Sequence, residues 1–191
     1  MANAINRRDF LKLSSVTVAG LVAGTQGVVS AEEAAAGEMP YRELGKTGLK
    51  VSEIGMGGNM VTEAAVIEKA FDKGITLFHT SPAYNKGRCF QAFTGALKNL
   101  KSKRDKVILA IKGAKLGDID KELQMLGTDY VDLYIPPMDA KGAENPALPG
   151  MFEKLKKSGK AKFCGLTNHK GMADLMEAAL KAKCVEVVLA T

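Results

Sequence analysis

The 191-residue sequence contains no tryptophan, only three cysteines and only two histidines. The cysteines, Cys89, Cys164 and Cys184, are odd in number and show no CxxC spacing, so they indicate neither a disulfide framework nor an iron–sulfur or zinc site. The histidines are His79 and His169, and His79 is far in sequence from both His169 and Cys164, which argues against a metal site built from the three. We therefore expect buried thiols and no bound metal.

The sequence also lacks a strong excess of one charge. Its net charge is +6, and lysines stand beside acids along the predicted helices, as in Asp72-Lys73 and Glu153-Lys154. No basic stripe is interleaved with aromatic residues, so nucleic-acid binding is not expected. With 46% hydrophobic and 25% charged residues, the composition is typical of one globular domain.

Residues 1–36 differ in composition from the rest of the chain. Asn6 to Lys12 reads NRRDFLK, a weakly apolar run extends from Leu13 to Val29, and small residues up to Ala31 offer a cleavage site. The segment resembles a twin-arginine (Tat) secretion signal with a spacer, although a basic N-terminal helix would share its charge. We expect the Tat machinery to export the chain to a periplasmic or extracytoplasmic location.

From residue 37 to residue 191 the pattern alternates between strands and helices. The run Leu126 to Pro137, LGTDYVDLYIPP, predicts a helix end at Gly127, a turn and a short buried strand. A hairpin with its turn at residues 45–48 precedes the first strand, Thr62 is expected to cap the first helix, and Asp118 a later one. The predicted parallel strands are Ile54 to Met56, Ile75 to His79, Val107 to Ile111, the run after Gly127, Ala161 to Leu166, and Val185 to Ala190.

Polar residues recur where several of these strands end. His79 is followed closely by Tyr84, Lys112 ends the third strand, and Thr167-Asn168 ends the fifth. A doubly wound sheet would also fit the alternation, but the segment GMGGNM after the first strand does not match the dinucleotide fingerprint GxGxxG. Collecting one functional group from each of several strand ends is typical of a (β/α) barrel.

Five segments in the same order resemble the aldo-keto reductase family, which consists of nicotinamide-dependent (β/α)8 barrels. These segments lie between Tyr41 and Leu189 and read YRELGKTGLKVSEIGMGG, GITLFHTSPAY, RDKVILAIK, LGTDYVDLY and SGKAKFCGLTN. The resemblance implies a TIM-barrel fold and the reduction of a small carbonyl substrate with NADPH or NADH.

The resemblance also implies a role for each strand-end residue. Tyr84 matches the general acid, and Lys112 matches the lysine that lowers the pKa of that tyrosine, since a nearby ammonium favours the phenolate. Thr167 and Asn168 match the pair that hydrogen-bonds the nicotinamide carboxamide. His79 stands where the family has an aspartate. Two interpretations stay open: a neutral imidazole that polarises the carbonyl, and a rim histidine with only a local hydrogen bond.

Two departures from the family bear on activity. Pro137 stands where the family has a histidine and cannot orient a carbonyl through a hydrogen bond. A (β/α)8 barrel typically needs ~250 residues, so residues 37–191 are expected to form an incomplete barrel of about six βα units, truncated at the C-terminus. Its open edges would permit self-association. The alternative to a reductase is a non-catalytic, barrel-derived ligand-binding or interaction protein.

Overall fold

The computed structural model describes residues 38–113 and 119–190. The predicted signal at residues 1–36 and the predicted helix cap Asp118 lie outside these residues. The first described elements are the strands β1 (Tyr41–Glu43) and β2 (Lys50–Ser52), which pair antiparallel with Tyr41 opposite Ser52. The hairpin prediction is therefore confirmed.

The main sheet of the described residues has six strands, all parallel and arranged in chain order. A doubly wound sheet reverses its strand order at a switch point, whereas this sheet does not, so its topology is that of an incomplete (β/α) barrel. The six strands are β3 (Met56–Gly57), β4 (Leu77–Thr80), β5 (Ile108–Ile111), β6 (Val131–Tyr134), β7 (Ala161–Thr167) and β8 (Val187–Leu189).

Helices connect successive strands of this sheet. They are α1 (Ala64–Asp72), α2 (Arg88–Asn99), α3 (Ile119–Leu126), α4 (Ala140–Ala143), α5 (Leu148–Lys157) and α6 (Met172–Ala182), with 3₁₀ turns at Tyr84–Gly87 and Lys101–Lys106. Among the described residues, no helix combines the length and the apolar character needed to cross a membrane.

Two helix ends test the sequence predictions directly. Gly127 follows α3 with a φ of 67°, a left-handed conformation that glycine adopts at little cost, as predicted. The prediction that Thr62 caps α1 is wrong, because α1 begins at Ala64 after Glu63, and no side-chain hydrogen bond caps it. Packing of its buried Ile67 against the core stabilises this helix instead.

The strands divide the core into two layers because alternate side chains point to opposite faces of a sheet. Phe78, Leu109 and Tyr134 face the helices and belong to the main hydrophobic core, together with Phe93 of α2 and Phe152 of α5. The opposite face carries a smaller cluster formed by Ala110, Leu133 and Ile135, against which Leu77, Phe163, Val187 and Leu189 pack. This smaller cluster is the inner face of the curled sheet, and it leads to the strand ends where the predicted site lies.

Candidate active site

The carboxyl ends of β4, β5 and β7 bring the predicted site residues to one edge of the sheet. Alternation from the inner-face residues Leu77 and Ala110 places His79 and Lys112 on the inner face. Backbone hydrogen bonding extends beyond β5, since the Lys112 amide donates to the Thr80 carbonyl at 2.9 Å. The Ser81 hydroxyl then donates to the Lys112 carbonyl at 2.8 Å. These bonds fix the backbone from which the lysine side chain leaves the strand.

Tyr84 lies on the turn that follows β4. Its amide donates to the Ser81 carbonyl at 3.1 Å, and the next two residues, Asn85 and Lys86, have φ values of 47° and 54°. Two consecutive non-glycine residues in the left-handed region mark a strained turn, a feature concentrated at functional sites. The turn places the Tyr84 ring edge-to-face with the His79 ring, with their centroids 5.8 Å apart.

His79 is a neutral imidazole in this setting. Burial, followed by the positive charge of Lys112, lowers its pKa from an ordinary 6.5 to about 4. Its Nε2 atom is buried and has no hydrogen-bond partner in the described part of the chain. A buried polar atom left without a protein partner is a natural point of contact for a ligand. The neutral ring agrees with the expected charge state but does not by itself show a role in polarising a carbonyl.

Lys112 reaches across the site to His169, on the loop after β7. The distance from Lys112 Nζ to His169 Nε2 is 3.0 Å. An ammonium can only donate, so Nε2 is the acceptor and the ring hydrogen is on Nδ1. The sequence analysis considered His169 only as a metal ligand and rejected that site. The available signal was its position directly after the strand-end pair Thr167-Asn168.

The pKa of Tyr84 differs from the sequence expectation. Burial raises this pKa above its ordinary value of 10.0, and the charge of Cys89 raises it further. Lys112 is not among the causes of the shift, so the expected lowering by Lys112 is not found in this arrangement. The physical reason is that the Lys112 ammonium hydrogen-bonds His169, while the phenol is partly shielded from water beside a thiol.

Thr167 and Asn168 end β7 and are tied to neighbouring strand ends. The fully buried Thr167 hydroxyl donates to the Leu189 carbonyl at 3.1 Å. Asn168 Nδ2 donates to the Met138 carbonyl at 3.2 Å, and its Oδ1 accepts from the His169 amide at 2.8 Å. The hydroxyl oxygen keeps its lone pairs, and the Asn168 amide keeps a second N–H and further acceptor capacity. This donor and acceptor set fits a primary carboxamide such as that of nicotinamide.

Pro137 occupies the matching place after β6. It forms a parallel bridge with Thr167 and is exposed, so the backbone continues the sheet at this point while the side chain offers no hydrogen bond.

Within residues 38–113 and 119–190, His, Cys, Asp and Glu side chains form no group of three or more that could hold a metal ion.

Comparison with known proteins agrees with the fold. The model of the aldo/keto reductase family matches residues 53–190. The chain therefore belongs to the aldo/keto reductase family. It is 32% identical over 159 residues to L-galactose dehydrogenase of Arabidopsis thaliana, covering 68% of this chain and 49% of that protein. It is 34% identical over 123 residues to the aldo-keto reductase YhdN of Bacillus subtilis, covering 50% of this chain and 37% of that protein.

Solved structures of the same family share the fold. An aldo-keto reductase of Bacillus halodurans in its holo form superposes with a TM-score of 0.66 at 24% identity, covering 81% of this chain and 58% of that one. An aldo/keto reductase of Klebsiella pneumoniae in complex with NADP and acetate gives a TM-score of 0.60 at 23% identity, covering 74% and 54%. The predicted incomplete (β/α)8 fold is confirmed, and the chain spans about half the length of the relatives it matches.

Proposed function

We propose that this chain is a nicotinamide-dependent oxidoreductase that reduces a small carbonyl compound with NADPH or NADH. The observation that carries the proposal is the meeting of a phenol, a neutral imidazole and an ammonium at the strand ends. The Tyr84 ring contacts His79, whose pKa is lowered in part by Lys112. A proton donor and a positive charge at the same rim suit a reaction in which a carbonyl oxygen gains negative charge.

The residues of the site have distinct roles in this proposal. Thr167 and Asn168 would hold the carboxamide of the cofactor, which when bound supplies a hydride for the carbonyl carbon. Tyr84 donates its phenolic proton to the carbonyl oxygen. The raised pKa keeps that proton on Tyr84 at neutral pH, so the side chain acts as an acid in the direction of reduction.

Two further groups stabilise the charge that develops. The Lys112 ammonium places a positive charge at this rim, where the carbonyl oxygen gains negative charge before it is protonated. The buried Nε2 atom of His79 provides a contact for the carbonyl oxygen, and a neutral ring with hydrogen on this atom polarises the carbonyl without adding charge. Asn85 and Lys86 hold Tyr84 over this contact through their left-handed turn.

A closed barrel would require further strands on the two outer strands of the described sheet. β3 and β8 are the first and last strands in the sheet order, and unpaired strand edges readily accept another chain. We propose that the active form completes the barrel, either as a fragment within a longer chain or by self-association through these edges. Size measurement of the purified chain distinguishes a monomer from an assembly.

The location of the protein is a separate proposal. The run NRRDFLK and the small residues up to Ala31 support export by the Tat machinery to the periplasm or another extracytoplasmic location. Replacing both Arg7 and Arg8 by lysine keeps the charge and is expected to leave the protein in the cytoplasmic fraction. Export that is unaffected by this change would rule out the twin-arginine route.

The reductase proposal is tested by following NADPH and NADH oxidation by the purified chain with a panel of aldehydes and ketones. Tyr84→Phe is expected to lower the rate about 10²- to 10⁴-fold, the usual contribution of a positioned proton donor. Tyr130→Phe is the matched control, because Tyr130 lies just before β6, at the opposite end of the sheet. Full activity in Tyr84→Phe would exclude Tyr84 as the donor, and cofactor binding without turnover of any carbonyl would favour the non-catalytic alternative.

A further inference from the structure

The contact between Lys112 and His169 joins two loops that follow β5 and β7, with the single strand β6 between them in the sheet. Lys112 follows β5 and His169 follows β7, and the distance from Nζ to Nε2 is 3.0 Å. Lys112 is half-buried, whereas His169 is exposed. The contact therefore spans the mouth of the site, and it brings a second imidazole close to the Lys112 ammonium.

The Lys112 ammonium has a second histidine, His79, near it, and this histidine is neutral. His79 has a pKa of about 4 and carries no charge at neutral pH, so it offers Lys112 no opposite charge. A lysine side chain also loses much of its rotamer freedom when it is fixed in one position. Without an acceptor to hold it, the ammonium would sample many positions across the mouth of the site.

The acceptor itself is held by neighbouring strand ends. The His169 amide donates to Asn168 Oδ1 at 2.8 Å, and Asn168 Nδ2 donates to the Met138 carbonyl at 3.2 Å. Met138 is in turn tied to β7, since its amide donates to the Thr167 carbonyl at 2.9 Å. A continuous set of hydrogen bonds therefore runs from the Lys112 ammonium to the ends of β6 and β7.

We propose that His169 is a positioning residue, which holds the Lys112 ammonium at the mouth of the site by accepting its hydrogen bond. The inference rests on the proposed reductase function for its consequence in catalysis, but not for the contact itself. A hydrogen bond from a charged donor is stronger than one between neutral groups, and it restricts a flexible ammonium to one region. His169 acts through Lys112 and needs no contact with the substrate.

The contact has a signature that does not depend on activity. If Lys112 donates to Nε2, the neutral His169 ring carries its hydrogen on Nδ1. The sequence contains two histidines, so long-range ¹H–¹⁵N spectra of the full chain show two ring systems, and His79→Gln assigns them. The Nδ1–H form of His169 is expected in the unaltered chain, and Lys112→Met is expected to shift the tautomer balance. The proposal would be overturned if the His169 ring carries its hydrogen on Nε2 and its spectrum does not change in Lys112→Met.

The consequence for catalysis is tested with three variants of the same loop. His169→Leu removes the acceptor and is expected to lower kcat about tenfold with KM for the carbonyl nearly unchanged, as loss of one charge-assisted hydrogen bond predicts. His169→Gln keeps a side-chain oxygen acceptor and should restore most of the rate. Lys170→Gln removes the neighbouring exposed charge and should have no such effect.

The outcomes separate the two proposals. Equal kcat values in His169→Leu and the unaltered enzyme would overturn the positioning role even if the tautomer is as expected. If the unaltered chain reduces no carbonyl compound, the reductase function fails, whereas the tautomer measurement still decides whether Lys112 and His169 are bonded.

Discussion

The polar groups at the two ends of the parallel sheet differ in how completely they are paired. At the amino end, the carboxylate of Asp132 is almost completely buried, yet it accepts hydrogen bonds from the Leu109 amide at 3.0 Å, from Arg104 at 3.1 Å and from Lys162 at 2.8 Å. Both cations also lie over the Tyr130 ring, at 4.1 Å and 4.6 Å from its centroid. The charges at this end are satisfied by one another.

At the carboxyl end, the polar groups are only partly satisfied. The Lys112 ammonium is bonded to the neutral acceptor His169, and His79 Nε2 has no partner among the described residues. Barrel enzymes place catalytic groups at this end and stabilising contacts at the other. This sheet has the same division. Its amino end holds a buried, fully paired carboxylate, and its carboxyl end holds a ring nitrogen that can bond a ligand.

The largest effect is expected at the amino end. Asp132→Ala leaves the largely buried Arg104 without its carboxylate and the Leu109 amide without its acceptor. Breaking such a buried pair costs about 3–5 kcal/mol, which urea unfolding would measure. Asp120→Ala is the matched control, because the Asp120 pair with Lys160 has a carboxylate that is 70% exposed, and such pairs contribute about 0–1 kcal/mol. Similar losses in both variants would contradict the contrast drawn between the pairs.

The next largest effect is the pH dependence of stability that the buried His79 at the carboxyl end is expected to cause. The pKa of His79 is about 4 in the folded protein and 6.5 ordinarily. As the pH falls below 6.5, the unfolded chain binds a proton that the folded chain does not, so stability is lost until the folded ring also titrates near pH 4. The full shift corresponds to about 3 kcal/mol. Urea unfolding across this range should show a smaller loss in His79→Gln, whereas His169→Gln should keep the loss; equal curves for all three proteins would contradict a buried neutral His79.

A third test concerns the close packing beneath the site. A Cβ atom on Gly58 would lie 2.6 Å from the Phe93 ring and 2.7 Å from the His79 carbonyl, to which the Gly58 amide donates. Gly58→Ala is therefore expected to destabilise the protein by about 1–3 kcal/mol. Gly57→Ala is the control, since a Cβ atom there meets no other atom within 4 Å. Thermal unfolding that ranks the two variants in the opposite order would show that the backbone can move at this strand end.

The smallest effect isolates ring stacking at the amino end. Tyr130→Leu keeps an apolar side chain but removes the aromatic face beneath Arg104 and Lys162. A loss of about 1–2 kcal/mol is expected, because two cation–π contacts are removed and each contributes about 0.5–1 kcal/mol. Tyr130→Phe retains the face and should unfold at nearly the same urea concentration as the unaltered chain. An equal loss in both variants would assign the effect to the hydroxyl group.

The sequence was sufficient to predict most elements because their signals are local. Apolar residues around Asp132 and the glycine before them predicted β6 and the end of α3, and strand-end reasoning found His79 and Lys112. The structure brings these two side chains together with Tyr84, as parallel strand ends require. Thr62 failed as a helix cap because the start of α1 depends on packing, which a capping pattern does not contain.

The finer features of the site depend on three-dimensional placement. The bond between Lys112 and His169 joins side chains from loops whose relative position is set by β6 between them. The raised pKa of Tyr84 depends on burial and on its nearness to Cys89, which no spacing in the sequence encodes. The left-handed turn at Asn85 was also unforeseen, although asparagine and the nearby Gly87 are residue types that adopt this conformation readily.

The chain-order arrangement of the sheet has a consequence for how the protein is made. Each strand from β4 to β8 pairs with the strand synthesised just before it. Each of these pairings closes a shorter stretch of chain, with a smaller loss of chain entropy, than a pairing between strands distant in sequence. The sheet can therefore grow one strand and one helix at a time as the chain leaves the ribosome. During this growth the exposed edge moves along the nascent chain, and each newly made strand covers the edge left by the previous one.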